Sequence, residues 1–213
     1  MLRPYVIVNC AMSIDGKIAL PSRKQTRISN EEDIARVHRL RNECDGILVG
    51  IGTVMSDDPK LTVKEKYVEN PRKPLRIVLD SKGRTPRDAK VLNEDAPTLI
   101  VTSQSSESTF GSARTLRLGK NTVDLHALMH HLHEMGLKKL LVEGGETVIW
   151  SFLREGLVDE LRVFIGSMII GGRMSPTMAG GEGSASFEEI IRLELKRITQ
   201  IGDGALLEYE VKC

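Results

Sequence analysis

The stretch Leu140-Leu141-Val142-Glu143-Gly144-Gly145-Glu146-Thr147-Val148-Ile149-Trp150 decides how this chain is read. Consecutive apolar residues end in a carboxylate, as at the end of a buried strand. Gly144 and Gly145 let the backbone turn tightly and approach a ligand closely. A helix-like run follows, and the free N–H groups at a helix start favour an anion such as phosphate. Glu143 would then stand beside that phosphate. A glycine pair in this place also serves as a plain structural turn, so the stretch defines a strand–turn–helix unit and leaves its ligand open.

Outward from this unit, strands and helices alternate. Tyr5–Ala11, Ile47–Val49, Leu75–Leu79, Thr98–Thr102, Lys139–Val142 and Glu160–Ile165 read as strands, most of them continuously apolar as in a sheet buried on both faces. A helix begins near Ser29, where Ser29 and Glu32 have capping-box spacing. Ile34, Val37, Leu40 and Cys44 follow on one face. Gly50–Asp58 is a glycine turn with a short helix, and a Lys-, Glu- and Pro-rich loop runs on to Pro74. Asp124–Met135 is an amphipathic helix, and Val148–Leu153 lies in the helix after the glycine pair. Ser103–Gly119 carries no clear pattern, and Gly166–Gly183 is rich in glycine. Leu193–Ile201 and Ala205–Val211, joined at Gly202-Asp203-Gly204, form a hairpin. The pattern predicts one α/β domain over residues 1–213: a mostly parallel mixed sheet, helices on both faces and an antiparallel edge.

A chain of 213 residues buries a sizeable core. The formal charge of +1, with both signs interspersed, argues against a nucleic-acid or membrane surface as partner. No apolar run approaches the ~20 residues of a membrane span. Met1-Leu2-Arg3-Pro4 leads straight into a strand, unlike a signal peptide. Cys10, Cys44 and Cys213 are widely spaced and fit no CxxC pattern, which suggests reduced thiols in a cytosol.

The candidate residues lie at strand ends, where α/β sheets bind ligands. Val49-Gly50-Ile51-Gly52-Thr53-Val54 has the first two glycines of a dinucleotide fingerprint. Met55 replaces the third, and Asp80 lies further on than the ~20 residues expected. Thr53 and Asp57 are ligand candidates or helix-capping residues. In Asp80-Ser81-Lys82, Ser81 can donate to a phosphate, and Lys82 and Arg84 can pair with a 2′-phosphate; the same residues also make a solvated turn. Asp15 and Lys17 flank a turn at Gly16. Arg36, Arg39 and Arg41 point different ways at ~100° per residue. His126, His130 and His133 share one flank of their helix but have no HExxH pattern, and a solvated flank explains them better than a metal. There is no Gly-x-Ser-x-Gly elbow and no P-loop, which disfavours acyl transfer and NTP hydrolysis.

Asn9–Lys17 (NCAMSIDGK), Val37–Arg41 (VHRLR), Asp45–Val54 (DGILVGIGTV), Asp57–Thr62 (DDPKLT), Ile77–Ser81 (IVLDS) and Val142–Gly145 (VEGG) occur in one order across nearly the whole chain. Taken together they resemble the pyrimidine reductase family of riboflavin biosynthesis. The resemblance implies a dihydrofolate-reductase-like three-layer fold and a cytoplasmic homodimer. It implies reduction of the ribosyl group of a pyrimidine ribosylamine 5′-phosphate to ribityl with NADPH, or with NADH in some members. The diaminopyrimidinone is the expected substrate and the deaminated uracil the alternative; another reductase on this fold, or a non-catalytic nucleotide-binding module, would share its outline.

By motif, the resemblance assigns Thr53, Asp57, Asp80, Ser81, Lys82, Gly144, Gly145, Glu146 and Thr147 to the cofactor. It assigns Asp15, Arg41, Leu61, Lys64 and Glu143 to the substrate, with Arg41 and Lys64 at the 5′-phosphate. Glu143, Asp15 and Lys17 are the candidate proton donors, and no metal is expected. Two positions depart from the family pattern. Glu146 follows the glycines where a small residue or proline is usual, and Ser167 stands where proline is common. Many relatives carry a zinc deaminase, whose H-x-E…PCxxC set is absent from these residues.

Overall fold

The structure is a computed structural model that describes residues 2–23 and 26–212; Met1 and Cys213 of the sequence reading lie outside them. In chain order the elements are β1 (Tyr5–Ser13), α1 (Glu31–Glu43), β2 (Gly46–Gly50), α2 (Ile51–Asp57), β3 (Leu75–Leu79), β4 (Thr98–Thr102), β5 (Arg114–Arg117), α3 (Leu125–Glu134), β6 (Lys139–Val142), α4 (Glu146–Arg154), β7 (Glu160–Gly166), β8 (Arg192–Ile201) and β9 (Gly204–Lys212). Contacts divide them into two compact units. One comprises His38–Leu141 with the residues up to Tyr5; the other comprises Val6–Val37 and the chain from Val142 onward.

In the first unit the strand order is β5-β4-β3-β2-β6. β2, β3, β4 and β5 run parallel, with Leu48 opposite Ile77 and Ile77 opposite Leu99. Every residue of β2 and β4 is buried, which is why these strands are apolar without alternation. α3 adds Leu125, Leu128, Met129 and Leu132 to the core. Its N-cap is Asp124, whose carboxylate accepts the Ala127 N–H at 2.9 Å. β5 is the strand missing from the sequence reading. It is short and its terminal residues Arg114 and Arg117 are exposed, a charged edge that carries no core pattern.

Arg76 of β3 is fully buried. Its guanidinium donates to Thr98 Oγ1 at 2.9 Å, Asn93 Oδ1 at 2.7 Å, and the carbonyls of Lys60, Lys90, Asn93 and Ala96. One side chain therefore ties the 90–96 segment and Lys60 to the sheet.

In the second unit the order is β1-β7-β9-β8. β1 and β7 are parallel; β9 pairs antiparallel with both β7 and β8. The turn Gly202–Asp203 closes the expected hairpin, with Gly202 at φ +58°. Val6–Val8, Leu161, Val163 and Phe164 form the core with Ile149, Phe152 and Leu153 of α4. β8 is different: Leu193, Leu195 and Ile198 are 40, 47 and 60 % exposed.

The start of α1 corrects the sequence reading. Asn30, not Ser29, is the capping residue: its Oδ1 accepts the Asp33 N–H at 2.9 Å. Ser29 Oγ instead donates to the Asp33 carboxylate at 2.5 Å. Asn30 Nδ2 also donates to Ile201 O and Asp203 Oδ1, both at 2.8 Å, so one residue caps the helix and holds the hairpin turn.

Candidate functional site

In the first unit, the candidate residues follow the ends of β2 and β3. Gly50 opens α2 without a side-chain cap, and Thr53 and Asp57 are half-buried on it. Partial burial raises the Asp57 carboxyl above its ordinary value, with the Ser56 hydroxyl opposing the shift. Asp80 is fully buried and turns back on its own loop. Its Oδ2 accepts the Thr85 N–H at 2.7 Å and the Thr85 hydroxyl at 2.8 Å. This carboxylate shapes the 80–85 turn. Ser81 Oγ accepts the Val123 N–H at 3.2 Å, leaving its own proton to donate elsewhere. Lys82 and Arg84 are exposed.

The same unit holds Arg41, Leu61 and Lys64. Arg41 Nη1 donates to Thr62 O at 3.2 Å. Leu61 is 3 % exposed and sits at φ +51°. Lys64 is exposed, and its N–H donates to Nδ1 of the buried His38 at 3.3 Å. The His38 ring stacks on Tyr67 with centroids 4.7 Å apart. Sequence reasoning quoted His38 in a motif but gave it no role. The available signal was its position one helical turn before Arg41.

In the second unit, Glu143 follows β6 and is half-buried. Gly144 is buried at φ +106°, a conformation open to glycine, and the Gly144–Gly145 peptide is cis. Gly145 caps α4 with no side-chain hydrogen bond. The first N–H groups of the helix have no intrahelical partner. Thr147 is exposed. This uncapped turn suits the pyrophosphate of a dinucleotide.

Glu146 answers the question its sequence raised. Its carboxylate pairs with Arg23 at 2.8 Å and accepts the Thr177 N–H at 3.3 Å. The charge is thus taken up by protein groups. Arg23 and Thr177 were absent from the sequence reading because neither lies near a motif.

Asp15 is also held by its partners. Oδ1 accepts the Ser13 hydroxyl at 2.6 Å and the Ile170 N–H at 3.0 Å; Oδ2 accepts the Gly171 N–H at 2.7 Å. The Ser13 hydroxyl, then these N–H groups, lower its carboxyl from 3.8 to about 2. These bonds make Asp15 a clasp between the 13–17 turn and the 170–171 segment. Lys17 continues this clasp: its N–H donates to Ser13 Oγ at 3.0 Å and it bridges Thr177. Ser167, the second departure from the family pattern, is exposed and donates from Oγ to Asp203 O.

Elsewhere, Arg36 pairs with Asp33 and Asn9, away from Arg41. His130 lies 3.3 Å from Glu134. Cys10 and Cys44 are buried and in no disulfide among the described residues, and burial pushes the Cys10 thiol up to about 12. Among the described residues, no helix is long and apolar enough to cross a membrane.

A mixed sheet with an antiparallel end and a glycine turn leading into a helix define an α/β domain. The sequence profile of the RibD C-terminal domain matches residues 4–207, and the chain belongs to that family. It is 47 % identical to the 2,5-diamino-6-ribosylamino-4(3H)-pyrimidinone 5′-phosphate reductase of Methanothermobacter thermautotrophicus, over 99 % of this chain and all of the relative. It is 46 % identical to the protein of the same name from Archaeoglobus fulgidus, over 95 % of this chain and 96 % of the relative.

Among solved structures, RibD of Acinetobacter baumannii superposes with a TM-score of 0.85 at 23 % identity, over 99 % of this chain and 59 % of that one. The chain therefore spans about three-fifths of that protein. The Saccharomyces cerevisiae riboflavin biosynthesis reductase Rib7 superposes with a TM-score of 0.76 at 23 % identity, over all of this chain and 91 % of that one. The dihydrofolate-reductase-like fold is thereby established.

Proposed function

We propose that this protein reduces the ribosyl group of 2,5-diamino-6-ribosylamino-4(3H)-pyrimidinone 5′-phosphate to ribityl, with NADPH as reductant, in riboflavin biosynthesis. The observation that carries this reading is the 47 % identity to a reductase of that name, end to end. The family match runs through both compact units, which supports reading residues 1–213 as one reductase domain.

In the first unit we assign Thr53, Asp57, Ser81 and Lys82 to the dinucleotide; in the second we assign the Gly144–Thr147 turn to it. Lys82 and Arg84 would favour a 2′-phosphate, and hence NADPH over NADH. Arg41 and Lys64 would hold the substrate's 5′-phosphate, with Leu61 beside them. The reduced nicotinamide, when bound, supplies a hydride. The substrate must first open its ribose ring to a C1′ imine, because a closed aminal offers hydride no electrophilic carbon. Glu143 is the group we assign to proton transfer in that opening, with Lys17 second. Asp15, held as an anion, keeps the turn that carries Lys17 in place. Positioning of the reacting groups accounts for much of the acceleration.

We further place the protein in the cytoplasm as a homodimer. Buried thiols outside any disulfide support the first. The apolar face of β8 supports the second: Leu193, Leu195 and Ile198 continue into an open cavity of about 800 Å³ lined by Ile14, Ile165, Met168 and Ile169. A second copy is the occupant that would remove this surface from water.

Absorbance decay at 340 nm with the diamino substrate and with its deaminated uracil counterpart tests the reading, using NADPH and NADH in turn. Turnover of the diamino compound with NADPH is expected. Preference for the uracil would reassign the substrate, and no turnover of either would reject the proposal.

A further inference from the structure

Between α2 and β3 the chain runs from residue 58 to residue 74 without helix or strand. Asp58, Leu61 and Asn70 adopt φ of +42°, +51° and +50°. Side-chain-bearing residues keep such angles only where the surroundings hold them. The surroundings here are one face of α1. His38 Nδ1 accepts the Lys64 N–H at 3.3 Å. Arg41, three residues on, donates to Thr62 O at 3.2 Å. Asn42, four on from His38, accepts the Arg72 N–H at 2.7 Å through Oδ1. Positions i, i+3 and i+4 share a helix face, so the contacts form one row of pegs.

His38 is the peg that holds the backbone at Lys64. It is 4 % exposed, so it does not itself meet a dissolved ligand. Because Nδ1 accepts a hydrogen bond, the neutral ring carries its proton on Nε2. Its flat face stacks on Tyr67 at an interplanar angle of 12°. Lys66 Nζ lies 4.9 Å from the centroid of the Tyr67 ring. One imidazole therefore grips the backbone at residue 64 by its edge and the side chain at residue 67 by its face. Lys64 is exposed on the gripped turn, and Leu61 of the same turn is buried.

We propose that His38 is a positioning residue for the anionic end of the substrate, a sugar phosphate. It pins the 61–67 turn to α1 and so fixes where Lys64 presents its charge. The substrate part of this inference rests on the reduction reading above; the pinning part does not.

The test uses the full chain with His38→Ala, His38→Asn and Tyr67→Ala. Amide hydrogen exchange over residues 61–68 is followed without ligand. KM for the pyrimidine ribosylamine phosphate, kcat and the Kd of NADPH are then measured. His38→Ala removes a hydrogen bond and a ring stack, so exchange and KM should each rise about tenfold. The same loss should leave kcat within about threefold and the NADPH Kd unchanged. His38→Asn offers an oxygen where Nδ1 stood and should recover most of the KM. Tyr67→Ala loosens the turn without altering α1, and serves if His38→Ala does not fold. Folded variants with wild-type exchange and KM would overturn the proposal, as would an NADPH Kd that rises in step with KM. If the wild type turns over no pyrimidine ribosylamine phosphate, the function reading fails by itself, and unchanged exchange is then the result that overturns the pin.

Discussion

Arg23 Nη2 lies 2.8 Å from Glu146 Oε1, and this pair places a neutralised carboxylate at the first residue of α4. A carboxylate at a helix N-terminus is favourable for the helix. Beside a bound pyrophosphate it would repel, unless another charge compensates it.

Arg23→Ala should therefore weaken NADPH binding about three- to tenfold, the size of one partly screened charge interaction. Arg23→Ala with Glu146→Ala should restore affinity, since the uncompensated charge is gone. Fluorescence titration of the single and double variants checks this. Arg23 is largely exposed, so thermal stability should move little.

Asp15 makes stability depend on acid. Its carboxyl is depressed from 3.8 to about 2 in the folded protein, first by the Ser13 hydroxyl and then by the Ile170 N–H. A depressed carboxyl contributes stability above its unfolded value and loses it as pH falls through the folded value. Asp15→Asn should be less stable than wild type at pH 7, and the gap should narrow between about pH 4 and pH 2. Urea midpoints across that range read the difference.

Arg76 should be among the least replaceable residues of the first unit. Arg76→Met removes the donor that Thr98, Asn93, Ala96 and Lys60 share and strands those acceptors in the interior. A loss of about 3–5 kcal/mol is expected, as for breaking other buried charged networks. Equilibrium urea unfolding measures it, and a loss under about 1 kcal/mol would mean that water reaches these groups.

The β8 face should set the oligomeric state. Light scattering should give twice the 23.6 kDa chain mass. Leu195→Glu or Ile198→Glu should halve it, because a buried unpaired carboxylate is strongly unfavourable. A wild-type monomer, or variants of unchanged mass, would remove this face from the account.

Where burial alone shapes a segment, the residues announced it. Leu75–Leu79 and Thr98–Thr102 matched to the residue, because strands covered on both faces are mostly apolar. The Gly202–Asp203 turn was equally legible. What escaped was decided by distant partners. Asn30 takes the cap from Ser29 because it can also reach the hairpin turn at Ile201. Asp80 looks from sequence like a strand-end ligand group, yet Thr85 draws it inward. Nothing local marks Arg76 as buried, since its acceptors arrive from the 90–96 segment. Among the candidate residues, the glycine turns that open α2 and α4 were readable from the sequence. The grip of His38 on Lys64 and of Arg23 on Glu146 was not, because each joins segments far apart in the chain.

The central claim, hydride delivery to an opened sugar, is tested most directly by following the hydrogen. NADPH carrying deuterium at the transferred C4 position is incubated with the enzyme and the diaminopyrimidinone ribosylamine phosphate, and the product is analysed by mass spectrometry. The account predicts one deuterium at C1′ of a ribitylamine, and a much slower appearance of it in Glu143→Gln. Oxidation of the dinucleotide with no deuterium at C1′ would contradict it.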